Sequence, residues 1–443
     1  MRARRFSLRA SAAWFAAALA ACATFAARAQ LKIEITSGVT DPIPIAIVPF
    51  AGSAQTASGP YDLDVANVVQ HDLEGSGRFR AMPRTQMTQK PSSAADVKLA
   101  DWRASGNDYV VVGRLSPSGD GIAIDFELLN ALNGTQLASQ RFTASASAMR
   151  DAAHRISDVI YEKILGVRGA FATRIAYVSL EGELPQQRFQ LIVADADGAN
   201  PRVVLESRSP IMSPAWSPDG EYLAYVSFEN RKSSVYVQQV RSGTRQLVSA
   251  RAGINGAPAW SPDGRRLALT LGGSNGNADV YVLDLATQAL TRITDDPSID
   301  TEPVWSPDGR ALFFTSDRGG NPQIYRVELT PGDKPKRITF GSSYCARPRI
   351  SPDGTQLAMV TLDESNYRIA VQDLASGTVR VLSHGRLDES PSFAPNGAML
   401  IYAATDHGQS VLQRVSVDGL TSQRLTAAQA AVREPVWAPF SHP

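Results

Sequence analysis

The sequence predicts a two-domain chain: a small N-terminal α/β domain followed by a six-bladed β-propeller that closes by pairing an N-terminal strand with the last blade. Three observations predict it. A motif, Pro-x-aromatic-[Ser/Ala]-Pro-[Asp/Asn]-Gly, recurs every 43–45 residues, the length of one four-stranded blade. The last copy ends without the strand that follows every other copy, and a near-duplicate of that strand lies ahead of the first. Upstream of the repeats, helical and strand-like patterns are mixed within roughly 135 residues, and 443 residues exceed what one ordinary core accommodates.

The first residues are basic (Arg2, Arg4, Arg5, Arg9), then apolar from Ala12 to Ala27, then small at Ala27-Arg28-Ala29. This is the order of a cleavable secretory signal peptide over 1–29, with cleavage near Ala29/Gln30. The apolar run is short and Ala-rich, a poor membrane span. Leu19-Ala20-Ala21-Cys22 also matches a lipobox, which would make Cys22 a lipid anchor; the A-x-A site downstream of it is the better signal. Without the leader the formal charge falls from +1 to about −4. Cys345 is then a lone cysteine, so no intramolecular disulfide is expected.

Residues 30–42 stand apart as a partner-binding segment. Gln30-Leu31-Lys32-Ile33-Glu34-Ile35-Thr36-Ser37-Gly38 alternates apolar and polar residues, and Gly38, Pro42 and Pro44 separate it from the α/β domain. It reads equally as an edge strand or as a strand lent to another sheet. The α/β domain is expected over 43–168. Its elements are an apolar strand at Ile43–Phe50, a helix with Leu63, Val65, Val68, Val69 and Leu73 on one face, a buried strand at Tyr109–Gly113, an alternating strand at Ile122–Leu128, an Asn133-Gly134 hairpin and an amphipathic helix from Met149 to Leu165.

The propeller is expected over 171–443. The motif appears at Pro214–Gly220, Pro258–Gly264, Pro303–Gly309, Pro348–Gly354 and Pro391–Gly397, with a truncated copy at Pro435–Pro439. Its aromatic position reads Trp216, Trp260, Trp305, Ile350, Phe393, Trp437. Pro presets φ for a turn and Asp-Gly supplies capping and positive φ, so each copy is a hairpin reversal. The aromatic is expected to pack between blades. Arg174–Ser179 nearly duplicates Tyr222–Ser227 and should complete the sixth blade. Counting copies gives six blades, with seven the nearest alternative.

Chemistry-bearing patterns are scarce. Gly272-Gly-Ser274-Asn-Gly276 matches a nucleophile elbow but lies between two propeller strands rather than at a strand-to-helix turn. His71, His154, His384, His407 and His442 are scattered, and none has ligand spacing with another His or Cys. Thr294-Asp-Asp296 and Asp317–Gly320 read as turns rather than cation ligands. No catalytic residue, metal site, cofactor or nucleic-acid partner is expected. A binding platform is, with its site on the loops leading into each motif: 210–213, 253–257, 299–302, 344–347, 387–390 and 431–434.

The tandem Pro-[Ala/Val]-Trp-Ser-Pro-Asp-Gly copies, the Gly169–Val178 junction and the α/β domain ahead of it together resemble the TolB family, the periplasmic propellers of the bacterial Tol–Pal system. The resemblance spans essentially 30–440. It implies a non-enzymatic periplasmic adaptor, a monomer outside its complex, that serves outer-membrane integrity and cell division. It also implies Pal bound on one propeller face, TolA bound by residues 30–38, and other envelope proteins and colicins as further partners. Carried over, the Pal-binding face comprises Met212, Asn255, Gly256, Ala257, Thr301, Glu302, Asp388 and Glu389. Ile254 departs from the family pattern, where some members carry His.

Overall fold

A computed structural model describes residues 41–52, 64–182, 186–273, 276–425 and 430–440. The leader, the 30–38 segment and Ser274 lie outside the described residues. The N-terminal domain is a five-stranded sheet built from β1 (Ile43–Ile47), β2 (Phe79–Ala81), β3 (Tyr109–Ser118), β4 (Gly121–Asn130) and β5 (Gln136–Ala144), in the order β2-β1-β3-β4-β5. β1 runs parallel to both neighbours, whereas β3, β4 and β5 form an antiparallel meander. β1 is buried on both faces, which is why it reads as a continuous apolar run rather than an alternating one.

Two helices, α1 (Val65–Gly75) and α3 (Met149–Leu165), cover one sheet face through Val69, Leu73, Ile156 and Ile160. The short α2 (Leu99–Ala104) packs Trp102 on the other. The predicted helix near 61–73 is observed from 65 onward, because Asp64 is its N-cap and its carboxylate accepts the Asn67 N–H at 3.0 Å. α3 ends where Gly166 adopts a left-handed conformation, φ 73°.

The remaining chain forms six four-stranded antiparallel sheets. Blades one to five begin at Ile211, Asn255, Asp300, Cys345 and Asp388. In the sixth, Ala431–Trp437 pairs with Arg174–Glu181, which continues into Arg188–Asp195 and Arg202–Ser207. The ring thus closes as the truncated last copy predicted. The N-terminal side contributes three strands of that blade rather than one, and closure removes the exposed edges of an open array.

Each of the five complete motifs makes the expected reversal, and in four of them the serine ahead of it has a role that the motif alone did not disclose. In blade one the Gly220 N–H bonds Ser217 O at 2.9 Å, with Gly220 at φ 68°. Asp219 accepts from the Ser217 hydroxyl and from the Glu221 N–H, while Ser217 Oγ accepts the Tyr222 N–H at 2.9 Å. The tryptophans lie between blades as expected, and each also donates a hydrogen bond. Trp216 Nε1 reaches Val436 O, Trp260 Nε1 reaches Ala215 O and Trp305 Nε1 reaches Ala259 O, at 3.0–3.3 Å; Trp437 Nε1 bonds Thr173 Oγ1 at 2.8 Å.

The two domains meet on the side of the ring that carries the β-turns. Arg78 pairs with Asp418 at 2.7 Å, Asn396 donates to Arg168 O, and the Arg168 guanidinium lies 4.1 Å over Phe440. Gly75 and Gly77 approach so closely that a Cβ at either would collide with Arg414 or Thr421. Among the described residues, the face carrying the loops that lead into the motifs is left open.

At this junction Asp72, His154 and Asp197 place their ligand-type atoms within 4.8 Å of one another, a cluster that sequence spacing did not reveal. His154 Nδ1 and Ser157 Oγ both lie 2.7 Å from Asp72 Oδ2, and Arg150 pairs with Asp197. The groups facing His154 are thus Asp72, Asp197 and Arg150, with Asp158, Asp195 and Arg414 behind them. Burial works against the imidazolium, but Asp72 and then Asp197 outweigh it, so the His154 pKa is raised. A raised folded pKa contributes stability in full below the unfolded value of about 6.5, and loses it as pH rises through the folded value. We expect resistance to urea to fall from pH 6 to pH 9 and His154→Gln to flatten that fall. Burial raises Asp158 to about 6, so its effect acts in the same sense at lower pH and leaves the His154 window distinct.

Candidate functional site

Each blade's innermost strand carries a bulge where it meets its motif proline, seen as a register shift such as Gly256/Ala259, Thr301/Val304 and Glu389/Ser392. The residue just before the proline is left-handed in all six blades: Ser213 (φ 52°), Ala257 (44°), Glu302 (56°), Arg347 (55°), Ser390 (56°) and Glu434 (50°). Non-glycine residues are uncommon there, and each costs on the order of 1 kcal/mol or more. Six equivalent exceptions in one ring constitute a repeated device. They line the floor of the open end of a cavity of about 780 Å³, whose wall there includes Met212, Ile254, Gly256 and Thr301 and which continues past them along the channel to Pro352 and Phe440.

The bulge turns backbone N–H groups away from the strand ladder, and side chains of adjacent blades accept them. Glu434 accepts the Ser213 N–H across the ring closure. Glu302 accepts the Arg347 N–H and the Thr315 hydroxyl, both at 2.9 Å. The Arg347 guanidinium lies 3.4 Å from Glu302 and 3.6 Å from Glu434, and donates to Ser390 Oγ. Burial lowers the Arg347 pKa, but Glu302, Glu434 and Glu389 more than offset this and hold it above the ordinary value. One arginine therefore ties carboxylates from two blades across the floor.

The expected residues divide into two groups. Met212, Gly256, Ala257, Thr301 and Glu302 line the cavity together. Met212, Ile254, Ile299 and Leu387 form an exposed apolar series on this end, each 41–49% exposed. Asn255 also borders the cavity, but it is fully buried and its side chain serves its own loop, accepting from Ser249 Oγ and Arg251 N and donating to Arg251 O. Asp388 is 1% exposed and accepts the Gly385 N–H at 2.9 Å; burial raises its pKa. Both occupy the first position of a blade's innermost strand, where Asp300 is likewise buried and bonded to Arg318. Glu389 follows Asp388 on that strand and is half-buried.

Ser213, Arg347, Ser390 and Glu434 end four of the loops on which the sequence places the site, but the sequence did not mark them individually. The available signal was their place immediately before each motif proline. The Asp296 and Asp317 turns are internally bonded: Asp296 accepts the Ser298 N–H and Asp317 the Ile299 N–H.

Comparison with known proteins agrees with this architecture. Residues 161–441 match the family described as TolB beta propeller domain, and 31–137 match the TolB amino-terminal domain. The Tol-Pal system protein TolB of Xanthomonas campestris is 47% identical over 435 residues, covering 96% of this chain and 98% of that protein. The Xanthomonas oryzae protein of the same name is 46% identical with the same coverage. The crystal structure of TolB from Acinetobacter baumannii superposes with a TM-score of 0.83 at 40% identity, over 90% of this chain and 97% of that one. The two Xanthomonas names denote a component of the Tol–Pal system. On both domain matches and on identity across nearly its whole length, the chain belongs to the TolB family.

Proposed function

We propose that this chain is a periplasmic adaptor that binds Pal at the open end of the propeller and TolA through residues 30–38, supporting outer-membrane integrity and cell division. The observation that carries this reading is the ring of six left-handed residues beneath an apolar rim. Such strain persists only where surrounding contacts impose it, and it clusters at ligand-binding positions. A rigid concave floor with exposed Met212, Ile254, Ile299 and Leu387 suits a protein partner, because apolar patches rimmed by polar groups are typical of association surfaces. The basic-apolar-small leader supports export from the cytoplasm. Among the described residues no helix is long and apolar enough to cross a membrane.

Two sites on one molecule allow reciprocal coupling: if Pal shifts the disposition of the 30–38 segment, TolA must shift Pal affinity by the same factor. Deletion of residues 30–38 is expected to abolish TolA capture while leaving Pal affinity within about twofold. Pull-down of each partner on the same protein sample reads both. Equal loss of the two would contradict separate sites.

A further inference from the structure

Five of the six inter-blade clefts are filled by an aromatic side chain from the motif, and the cleft between blades three and four is not. Its motif carries Ile350 where the others carry Trp or Phe. The consequence is measurable. Between blades one and two, where Trp260 occupies the position, the space bounded by Ser217, Pro218, Asp263 and Gly264 is about 230 Å³. At the corresponding place between blades three and four, a cavity of about 890 Å³ includes Ser306, Pro307, Asp353 and Gly354 and extends past Ile350 to Phe340 and Thr378.

A second, independent difference lies on the wall of the same cleft. In blade one Tyr225 stacks on Tyr236 with centroids 6.0 Å apart, and its hydroxyl donates to Gln238 Oε1 at 2.9 Å, while Gln238 Nε2 donates to Val204 O. The register of blade four places Met359, Ala370 and Gln372 at these three positions. Gln372 keeps the equivalent amide bond, Nε2 to Ile338 O at 3.2 Å. It has no tyrosine to satisfy it, and its Oε1 is buried without a hydrogen-bond donor, on a residue only 6% exposed. An unsatisfied buried acceptor costs about 1–3 kcal/mol. Oε1 is closed to solvent as the side chain stands, so a ligand donor meets it when the Gln372 amide turns toward the cleft, and gains what the fold leaves unmade.

The remaining lining favours an aromatic ring. Phe313 and Ile338 supply apolar walls, and the Arg326 guanidinium, 5.7 Å from the Phe313 ring centre, is placed to cover a second π-face. Phe340 lines the cleft and is 62% exposed, an apolar residue of the kind found at protein contacts. We propose that the cleft between blades three and four is a binding site for an indole-type ring carrying an N–H donor, presented as a tryptophan side chain by a partner polypeptide. It takes from outside what the other junctions supply from within. The site lies on the β-turn side of the ring; Ile350 also borders the open-end cavity, whereas Phe313, Arg326, Phe340 and Gln372 line this cleft and not that cavity, so the site stands independently of the Pal reading.

Titration of the purified chain with N-acetyl-L-tryptophanamide, followed by saturation-transfer NMR, tests this. Saturable binding is expected, weakened about fivefold when the indole nitrogen is methylated. Ile350→Trp should abolish binding and raise the melting temperature, its own N–H reaching Val304 O as Trp305 reaches Ala259 O. Gln372→Leu, a milder change, should leave the parent and methylated probes binding equally. Absence of binding to the wild-type chain, or undiminished binding to a folded Ile350→Trp chain, would overturn the site. Binding of free indole with exclusion of the capped amino acid would overturn the polypeptide source.

Discussion

Trp437→Ala is expected to destabilise the propeller by about 3–5 kcal/mol, the cost of emptying a buried tryptophan site. Trp437 is 8% exposed and packs with Ile175, Ala394 and Ile401, so it touches the closing strands and blade five at once. Its Nε1 bonds Thr173 Oγ1 at 2.8 Å, and its backbone N–H bonds Ser392 Oγ at 3.0 Å. The substitution therefore leaves a cavity where the ring is shut, and the Thr173 hydroxyl, which still donates to Ala170 O, loses the donor it accepts from the indole. Among the described residues no disulfide compensates, since Cys345 is a buried free thiol. Denaturant unfolding should show the midpoint falling, with loss of cooperativity if the sixth blade detaches. Trp305→Ala, which removes an inter-blade tryptophan away from the closure, should lower the midpoint without splitting the transition.

The closure was legible because the truncated sixth copy demanded a strand that residues 174–179 could supply. The blades were legible because the motif's proline, aspartate and glycine each have a fixed backbone use. The finer chemistry was not, for specific reasons. The buried roles of Asn255 and Asp388 depend on their position at the start of a blade strand, and polar residues in a loop-adjacent sequence look exposed. The Asp72, His154 and Asp197 cluster joins residues far apart in the chain and becomes visible only when α1, α3 and a propeller turn meet. Arg347 was hidden for another reason: its importance lies in reaching Glu302 and Glu434, whose blades are brought together only in the closed ring.

Arg347→Ala should have the larger functional effect. The guanidinium is the shared ion-pair partner of Glu302 and Glu434, whose side chains are 25% and 11% exposed, so its removal leaves the two carboxylates only the more distant charge of Arg349. A stability loss of about 2 kcal/mol is expected, below the value for a fully buried pair because solvent reaches these groups. Partner affinity should fall at least about tenfold, since the floor no longer holds its bulges in one arrangement. Arg347→Lys should recover only part of this, because an ammonium cannot span both carboxylates and Ser390 as a planar fork does. Calorimetric titration alongside thermal unfolding separates the affinity loss from the stability loss.

Met212→Glu tests most directly whether the open end of the propeller is the partner-binding face. Met212 is 41% exposed on the wall of that cavity, so a charge there should leave folding within about 0.5 kcal/mol of the parent while obstructing an apolar contact. Titration of the purified chain with the soluble domain of Pal should give saturable one-to-one binding that Met212→Glu weakens by about tenfold or more at unchanged melting temperature. Absence of saturable binding, or equal affinity for the parent and the variant, would contradict it.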